Sequence, residues 1–133
     1  MKAKLYKNPN IEVKLRTKEI GYAVYATDDI SKGDVIEECH HVPWKIDGPV
    51  KNFPKFMRPY RWEIEKNGVK MHTIALGYGS IFNSEENENC NVKGQYNHDD
   101  DIFVFTATRD IMKYEELCVN YHESLYEDRT DTI

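Results

Sequence analysis

Apolar and polar residues alternate along this chain in short bursts. That is the period of a strand with one face buried, not of an amphipathic helix. Tyr22, Val24 and Ala26 alternate with Ala23 and Tyr25, which predicts a strand over 23–26. Ser31-Lys32-Gly33-Asp34 reads as a turn, and a strand follows over 35–39. A loop-rich insert over about 41–61 holds Pro43, Pro49, Pro54 and Pro59, dense enough to break regular elements, with a short helical turn near 53–58. The runs 62–65 and 69–73 flank Lys66-Asn67-Gly68. Asn and Gly both tolerate positive φ, so this is a hairpin signal. The apolar stretch 74–82 carries Gly77 and Gly79, which points to close approach of another backbone or a ligand. Residues 84–101 read as polar and irregular, 102–107 as a strand, and 117–119 as a short one. The tail from His122 predicts one helix of about two turns that frays near Thr130. The sum is a mainly β fold of many short strands with few short helices.

The length of 133 residues fits one domain, 1–133. No apolar run has the length of a membrane span, and Met1–Asn10 is basic without the apolar stretch of a signal peptide. The expectation is a soluble intracellular protein with no membrane partner, in the cytoplasm, or in the nucleus if it acts on a eukaryotic host. Eighteen Lys and Arg against 23 Asp and Glu give a net charge of −5. That sign argues against direct nucleic-acid binding, which needs clustered basic residues. Mild acidity serves solubility, and it also suits a basic partner such as a Lys-rich peptide. Cys39, Cys90 and Cys118 are widely spaced, with neither a Cys-x-x-Cys pair nor zinc-ligand spacing, so they read as reduced, mostly buried thiols and no metal is expected.

Four segments add chemistry. The first is Glu19-Ile20-Gly21-Tyr22-Ala23-Val24-Tyr25-Ala26, with Ile30-Ser31-Lys32-Gly33-Asp34-Val35-Ile36-Glu37-Glu38 behind it. The second is Ala75-Leu76-Gly77-Tyr78-Gly79-Ser80-Ile81-Phe82-Asn83-Ser84. Asn89 is the third, and the fourth is Thr106-Ala107-Thr108-Arg109-Asp110-Ile111 with Glu115-Glu116-Leu117-Cys118-Val119-Asn120-Tyr121. Each alone is common, but in this order they resemble the SET domain from about residue 11 to 126, most closely the minimal zinc-free type encoded by viruses and bacteria.

The resemblance implies a fold of several short-stranded sheets with a C-terminal pseudoknot. It implies a protein-lysine N-methyltransferase that moves a methyl group from S-adenosylmethionine to a lysine of a protein or peptide, histone or non-histone, with S-adenosylhomocysteine as product and no metal. Tyr121 matches the catalytic tyrosine. Gly21, Tyr22, Asn83 and Ser84 match cofactor-binding positions, and Tyr126 matches an aromatic that covers the adenine. Trp62, Tyr78 and Phe82 are candidates for the wall around the substrate lysine, although by residue type each is equally a core residue. Val119 stands where a bulky aromatic limits methyl number in some members, so an aliphatic residue implies di- or trimethylation. Asn89 and Glu116 fall to scaffolding. The minimal relatives form homodimers, and a homodimer is open to this chain.

The match departs from the family pattern at several positions. Ala23 stands where the family has its second Gly, and Ser84 where His follows the Asn. Tyr114 replaces the Gly before Glu-Glu-Leu, and His122 the Gly after the tyrosine. Both glycine replacements imply strained or altered turns. The departures leave an alternative, a catalytically weak or inactive SET-fold binding module.

Overall fold

The computed structural model describes residues 2–45, 60–84 and 90–119. It contains nine strands: β1 (Ile11–Thr17), β2 (Gly21–Ala26), β3 (Val35–Lys45), β4 (Trp62–Lys66), β5 (Val69–Leu76), β6 (Asn83–Ser84), β7 (Val92–Asn97), β8 (Ile102–Ala107) and β9 (Glu116–Val119). One 3-10 turn, Tyr78–Ser80, stands between β5 and β6. The strands form one hydrogen-bonded path in the order β1-β2-β9-β7-β8-β3-β5-β4, with β6 paired to β9. Most pairs are antiparallel, while β9 runs parallel to both β6 and β7. This mixed, short-stranded sheet is the expected fold class. The residues expected to complete the pseudoknot and the C-terminal helix lie outside the described residues.

The predicted hairpin forms with β4 and β5 in register from Trp62↔Thr73 to Lys66↔Val69. Asn67 and Gly68 turn it at φ 53° and 78°, the doubly positive turn whose twist matches the strands. Two expectations need correction. Strand β3 does not stop at residue 39 but runs to Lys45, so 41–45 are strand and not loop. Its first half pairs β8 and its second half, His40–Lys45, pairs β5. Among the described residues only the β5 side carries a ladder beyond Cys39, which lets Pro43 sit in the strand without breaking bonds on both edges. Residues 84–101 are not wholly irregular, because Val92–Asn97 form β7. Val92 is its one fully buried apolar residue, and the strand is held by the six-pair register with β8.

The core gathers one face of nearly every strand. Val24, Ile36, Val92, Phe105, Ile111, Leu117 and Val119 are fully buried. Phe105 is its centre, against Trp62 at 5.9 Å, Phe82 at 5.2 Å and Phe103 at 5.5 Å between ring centroids. Two glycines make room for these rings. A Cβ on Gly79 would fall 2.4 Å from Phe105, and one on Gly94 within 3.0 Å of Phe105, Trp62 and Phe103. The close approach expected at Gly79 is thus made by a core side chain.

Candidate active site

Strand β9 collects the sequence motifs. On one side it pairs antiparallel with β2, Val24↔Leu117 and Tyr25↔Glu116. That direction carries Gly21 and Tyr22, at the start of β2, toward the C-terminal end of β9. On the other side β6 runs parallel, Asn83↔Cys118 and Ser84↔Val119. Gly21, Tyr22, Asn83, Ser84 and Val119 therefore converge at one end of β9. Tyr121 follows Val119 by two residues, at most about 7 Å of extended chain. Tyr121 and Tyr126 lie outside the described residues, as do Asn89 and His122.

Asn83 is half-buried and donates its side-chain amide to Glu116 Oε2 at 2.6 Å. Arg16 reaches Glu116 Oε1 at 3.4 Å, fixing the other end of that carboxylate. The Oδ1 and second amide proton of Asn83 make no hydrogen bond among the described residues. Gly21 holds φ +91° with nothing among the described residues within 4 Å of where a Cβ would stand, so among them the backbone there is open to a ligand. Tyr22 beside it is 64% exposed. Ala23 is fully buried in extended strand opposite Lys14, so the methyl that replaces the family's second glycine imposes no strain. An open glycine backbone, an exposed aromatic and an amide with free donor and acceptor fit an adenosyl and amino-acid ligand at this end of β9. Among the described residues no cluster of His, Cys, Asp or Glu could hold a metal ion.

Trp62 and Phe82 are core residues, 3% exposed each, on Phe105. Trp62 still lines one flank of a surface groove between β4 and β7, of about 430 Å³. Tyr78 is half-buried, with the Lys7 ammonium 3.7 Å from its ring centroid. A larger cavity, about 500 Å³, lies between the N-terminal segment and the start of β3 and contains none of the candidate site residues.

Sequence reasoning missed two supports. Asn91, 1% exposed, stitches β9 to the loop before β7. Its Oδ1 accepts the Cys118 N–H at 2.9 Å, and its amide donates to the Glu116 carbonyl at 2.9 Å and to Glu115 Oε2 at 3.3 Å. One asparagine among several in a polar run carries no signal of its own. Glu37, 3% exposed, accepts the Tyr78 and Gly79 N–H groups at 3.2 and 3.1 Å and so holds the 3-10 turn that leads into β6. The available signal was an acid inside the apolar run Val35–Cys39, where a register shift between Val35 and Glu37 turns it inward. Burial and the adjacent Glu37 carboxylate push the Cys39 thiol well above its ordinary range. Glu115 goes the other way. Burial would raise it, but Arg109 at 2.7 Å, the Met112 N–H and Asn91 outweigh burial and hold the carboxyl low. All three cysteines are buried, none in a disulfide.

The fold and this convergence define a class. The SET domain family model matches residues 21–122, and the chain belongs to that family. Among solved structures it is similar to a Plasmodium falciparum protein designated a histone methyltransferase, at 19% identity and TM-score 0.64, covering 89% of this chain and 97% of that one. It is similar to CpSET8 from Cryptosporidium, at 20% identity and TM-score 0.67 over 86% of this chain and 58% of that one. A third is ATXR5 in complex with histone H3.1 mono-methylated on R26, at 18% identity and TM-score 0.66 over 94% of this chain and 62% of that one. At these identities the likeness is one of fold. No curated protein matches the sequence. No helix among the described residues is long and apolar enough to cross a membrane.

Proposed function

We propose that the protein is an S-adenosylmethionine-dependent protein-lysine N-methyltransferase. The observation that carries this reading is the convergence of Gly21, Tyr22, Asn83 and Ser84 on the C-terminal end of β9, two residues before Tyr121. S-adenosylmethionine, when bound, supplies an electrophilic methyl on a sulfonium. Asn83, with Glu116 fixing its amide, presents the remaining proton and Oδ1 to the polar end of that ligand. Gly21 lets the main chain approach, and Tyr22 and Tyr126 offer aromatic faces.

The nucleophile must be a neutral amine. A free lysine has a pKa of about 10.4, so only about one part in a thousand is neutral near pH 7.4. Burial of the lysine stem among apolar side chains disfavours the ammonium form and raises that fraction. The ammonium form would first give a proton to solvent, and the lone pair of the resulting neutral amine would take the methyl that S-adenosylmethionine supplies, leaving the thioether S-adenosylhomocysteine. The chain contributes alignment, which is worth roughly 7–11 kcal/mol in well-oriented reactions. The Tyr121 hydroxyl orients the amine. Val119, at the end of β9, is aliphatic where a bulky aromatic would limit methyl number, which favours a second and third methyl.

The substrate on this reading is an extended lysine-bearing segment of a protein, histone or otherwise, bound in the cytoplasm or nucleus. The test is labelled-methyl transfer to a lysine-centred peptide library, with Tyr121→Phe beside it. Label on lysine with the wild type and loss of at least about 100-fold in the variant, in the range of general positioning effects, is expected. Cofactor binding without transfer to any peptide would overturn the enzyme reading and leave a SET-fold binding module. Mass spectrometry of the product then reads methyl number, and a strictly monomethyl product would contradict the role given to Val119.

A further inference from the structure

Strands β4 and β7 are far apart in the hydrogen-bonded path, yet they line the two sides of one groove of about 430 Å³. Its walls are Trp62 to Glu65 and Lys93 to Tyr96, with Phe103 and His98 completing the lining. Among the described residues the outer edge of β4 pairs with no strand, and β7 pairs with β9 only at Val92↔Val119. A groove lined by two strands, each with an edge unpaired among the described residues, and by the rings of Trp62, Tyr96 and Phe103 suits an extended chain. The groove starts one residue from Val119 and runs along β7 away from the site. Glu63 and Glu65 line the β4 wall opposite Lys93 of β7, and Glu63 Oε2 is buried without a hydrogen-bond partner among the described residues, burial holding that carboxyl above its ordinary range.

Beside Glu65 and Tyr96 of the lining, one carboxylate joins the two strands. Asp101, in the β7–β8 turn at φ +52°, accepts Lys66 Nζ on Oδ2 at 2.8 Å and the Tyr96 hydroxyl on Oδ1 at 2.7 Å. Lys66 ends β4 and Tyr96 belongs to β7, so Asp101 ties wall to wall. Buried His41 of β3 anchors it from below, with Nε2 at 2.9 Å from Oδ1. A carboxylate only accepts, so Nε2 carries the proton. Thr73 Oγ1 of β5 stands 2.6 Å from Nδ1 and sets the ring orientation. None of these residues belongs to the motifs at β9.

We propose that Asp101 is a clasp that sets the spacing of the β4 and β7 walls for an extended, lysine-bearing peptide. The inference rests on the methyltransferase reading for the nature of the peptide, but the clasp has a substrate-free readout. Asp101→Asn keeps the shape and puts an amide donor against one of three donors. Lys66→Met and Tyr96→Phe each release one wall and leave the His41 bond in place. Amide exchange by NMR should speed by about tenfold at 63–66 and 94–97, and stay unchanged in β1 and β2. Affinity for the best peptide selected from a lysine-centred library should fall by about fivefold in the same variants, with S-adenosylmethionine binding unaltered. Exchange that is unchanged at both walls, or that rises equally in every strand, would overturn the clasp. Tyr96→Phe keeps the test decisive if Asp101→Asn fails to fold. Opened walls with undiminished peptide affinity would overturn the positioning role. A wild type that selects no peptide would overturn the occupant alone, and failure of the methyltransferase reading shows separately, as peptide bound but not methylated.

Discussion

Asn83 and Glu116 meet at 2.6 Å although 33 residues separate them along the chain. The bond exists because β6 and β9 run parallel side by side, and it fixes the asparagine beside the end of β9, whose last residue Val119 precedes Tyr121 by two. Glu116→Ala removes a charge-assisted acceptor, an interaction worth about 1.5–3 kcal/mol. Affinity for S-adenosylmethionine is expected to fall by about tenfold or more on that scale. Glu116→Gln, which keeps an acceptor, should restore most of it. Calorimetric titration reads both, and undiminished affinity in Glu116→Ala would remove Asn83 from the cofactor site.

Gly79→Ala tests the packing behind the site. The added methyl would meet Phe105 ring carbons at 2.4 and 2.7 Å. Phe105 is fully buried among Trp62, Phe82 and Phe103 and has nowhere to go. Overpacking of this kind destabilises by about 1–3 kcal/mol, measurable as a lower urea midpoint at unchanged slope.

Tyr114 gives the opposite sign. It holds φ +73° with its side chain 70% exposed. A bulky residue there carries roughly 1–2 kcal/mol of backbone strain, and the unfolded-state entropy of glycine offsets about 0.5–1 of it. Tyr114→Gly should therefore stabilise by about 0.5–1 kcal/mol in urea unfolding. A loss of stability would mean that the ring makes contacts worth more than the strain.

Acid should weaken the fold through Asp101. Lys66 first, then Tyr96, and more weakly His41 hold its carboxyl well below the ordinary range, against a smaller opposing effect of burial. In the unfolded chain the group titrates near about 3.9. The folded state then binds fewer protons, so this contribution is complete above the unfolded value and is lost as pH falls toward the folded one. Glu115, also held low, adds in the same direction. Urea midpoints between pH 6 and about pH 3 should drop more steeply for wild type than for Asp101→Asn. Parallel curves would contradict the assignment. Tyr96, pushed up to about 12 by burial and by its bond to Asp101, keeps its proton throughout that range.

What was legible in the sequence follows physical lines. Strand β8 and the β4–β5 hairpin were readable because alternation and Asn67-Gly68 are local signals. Strand β7 was not, because it is largely polar and is a strand only because β8 pairs with it. Strand β1 does carry the alternation, Ile11, Val13 and Leu15 against Glu12, Lys14 and Arg16, but only Ile11 of these is buried. At the site, Gly21, Asn83 and Val119 were found through motif order, and the sheet brings them to one place. The second glycine's absence at Ala23 was visible, but not its lack of backbone strain, which depends on an extended backbone. Trp62 and Phe82 were open equally to a wall and a core reading, because aromatic type does not distinguish the two; both are core. Asp101, His41 and Lys66 gave no signal, since two separate strands and a turn have to fold before they meet.

The central claim is that the end of β9 binds S-adenosylmethionine, and calorimetric titration of the purified protein with that cofactor tests it most directly. The prediction is saturable one-to-one binding in the wild type, retained in Tyr121→Phe and lost in Asn83→Ala. No saturable binding up to about 1 mM cofactor, weaker than about −4 kcal/mol of binding free energy, would contradict it.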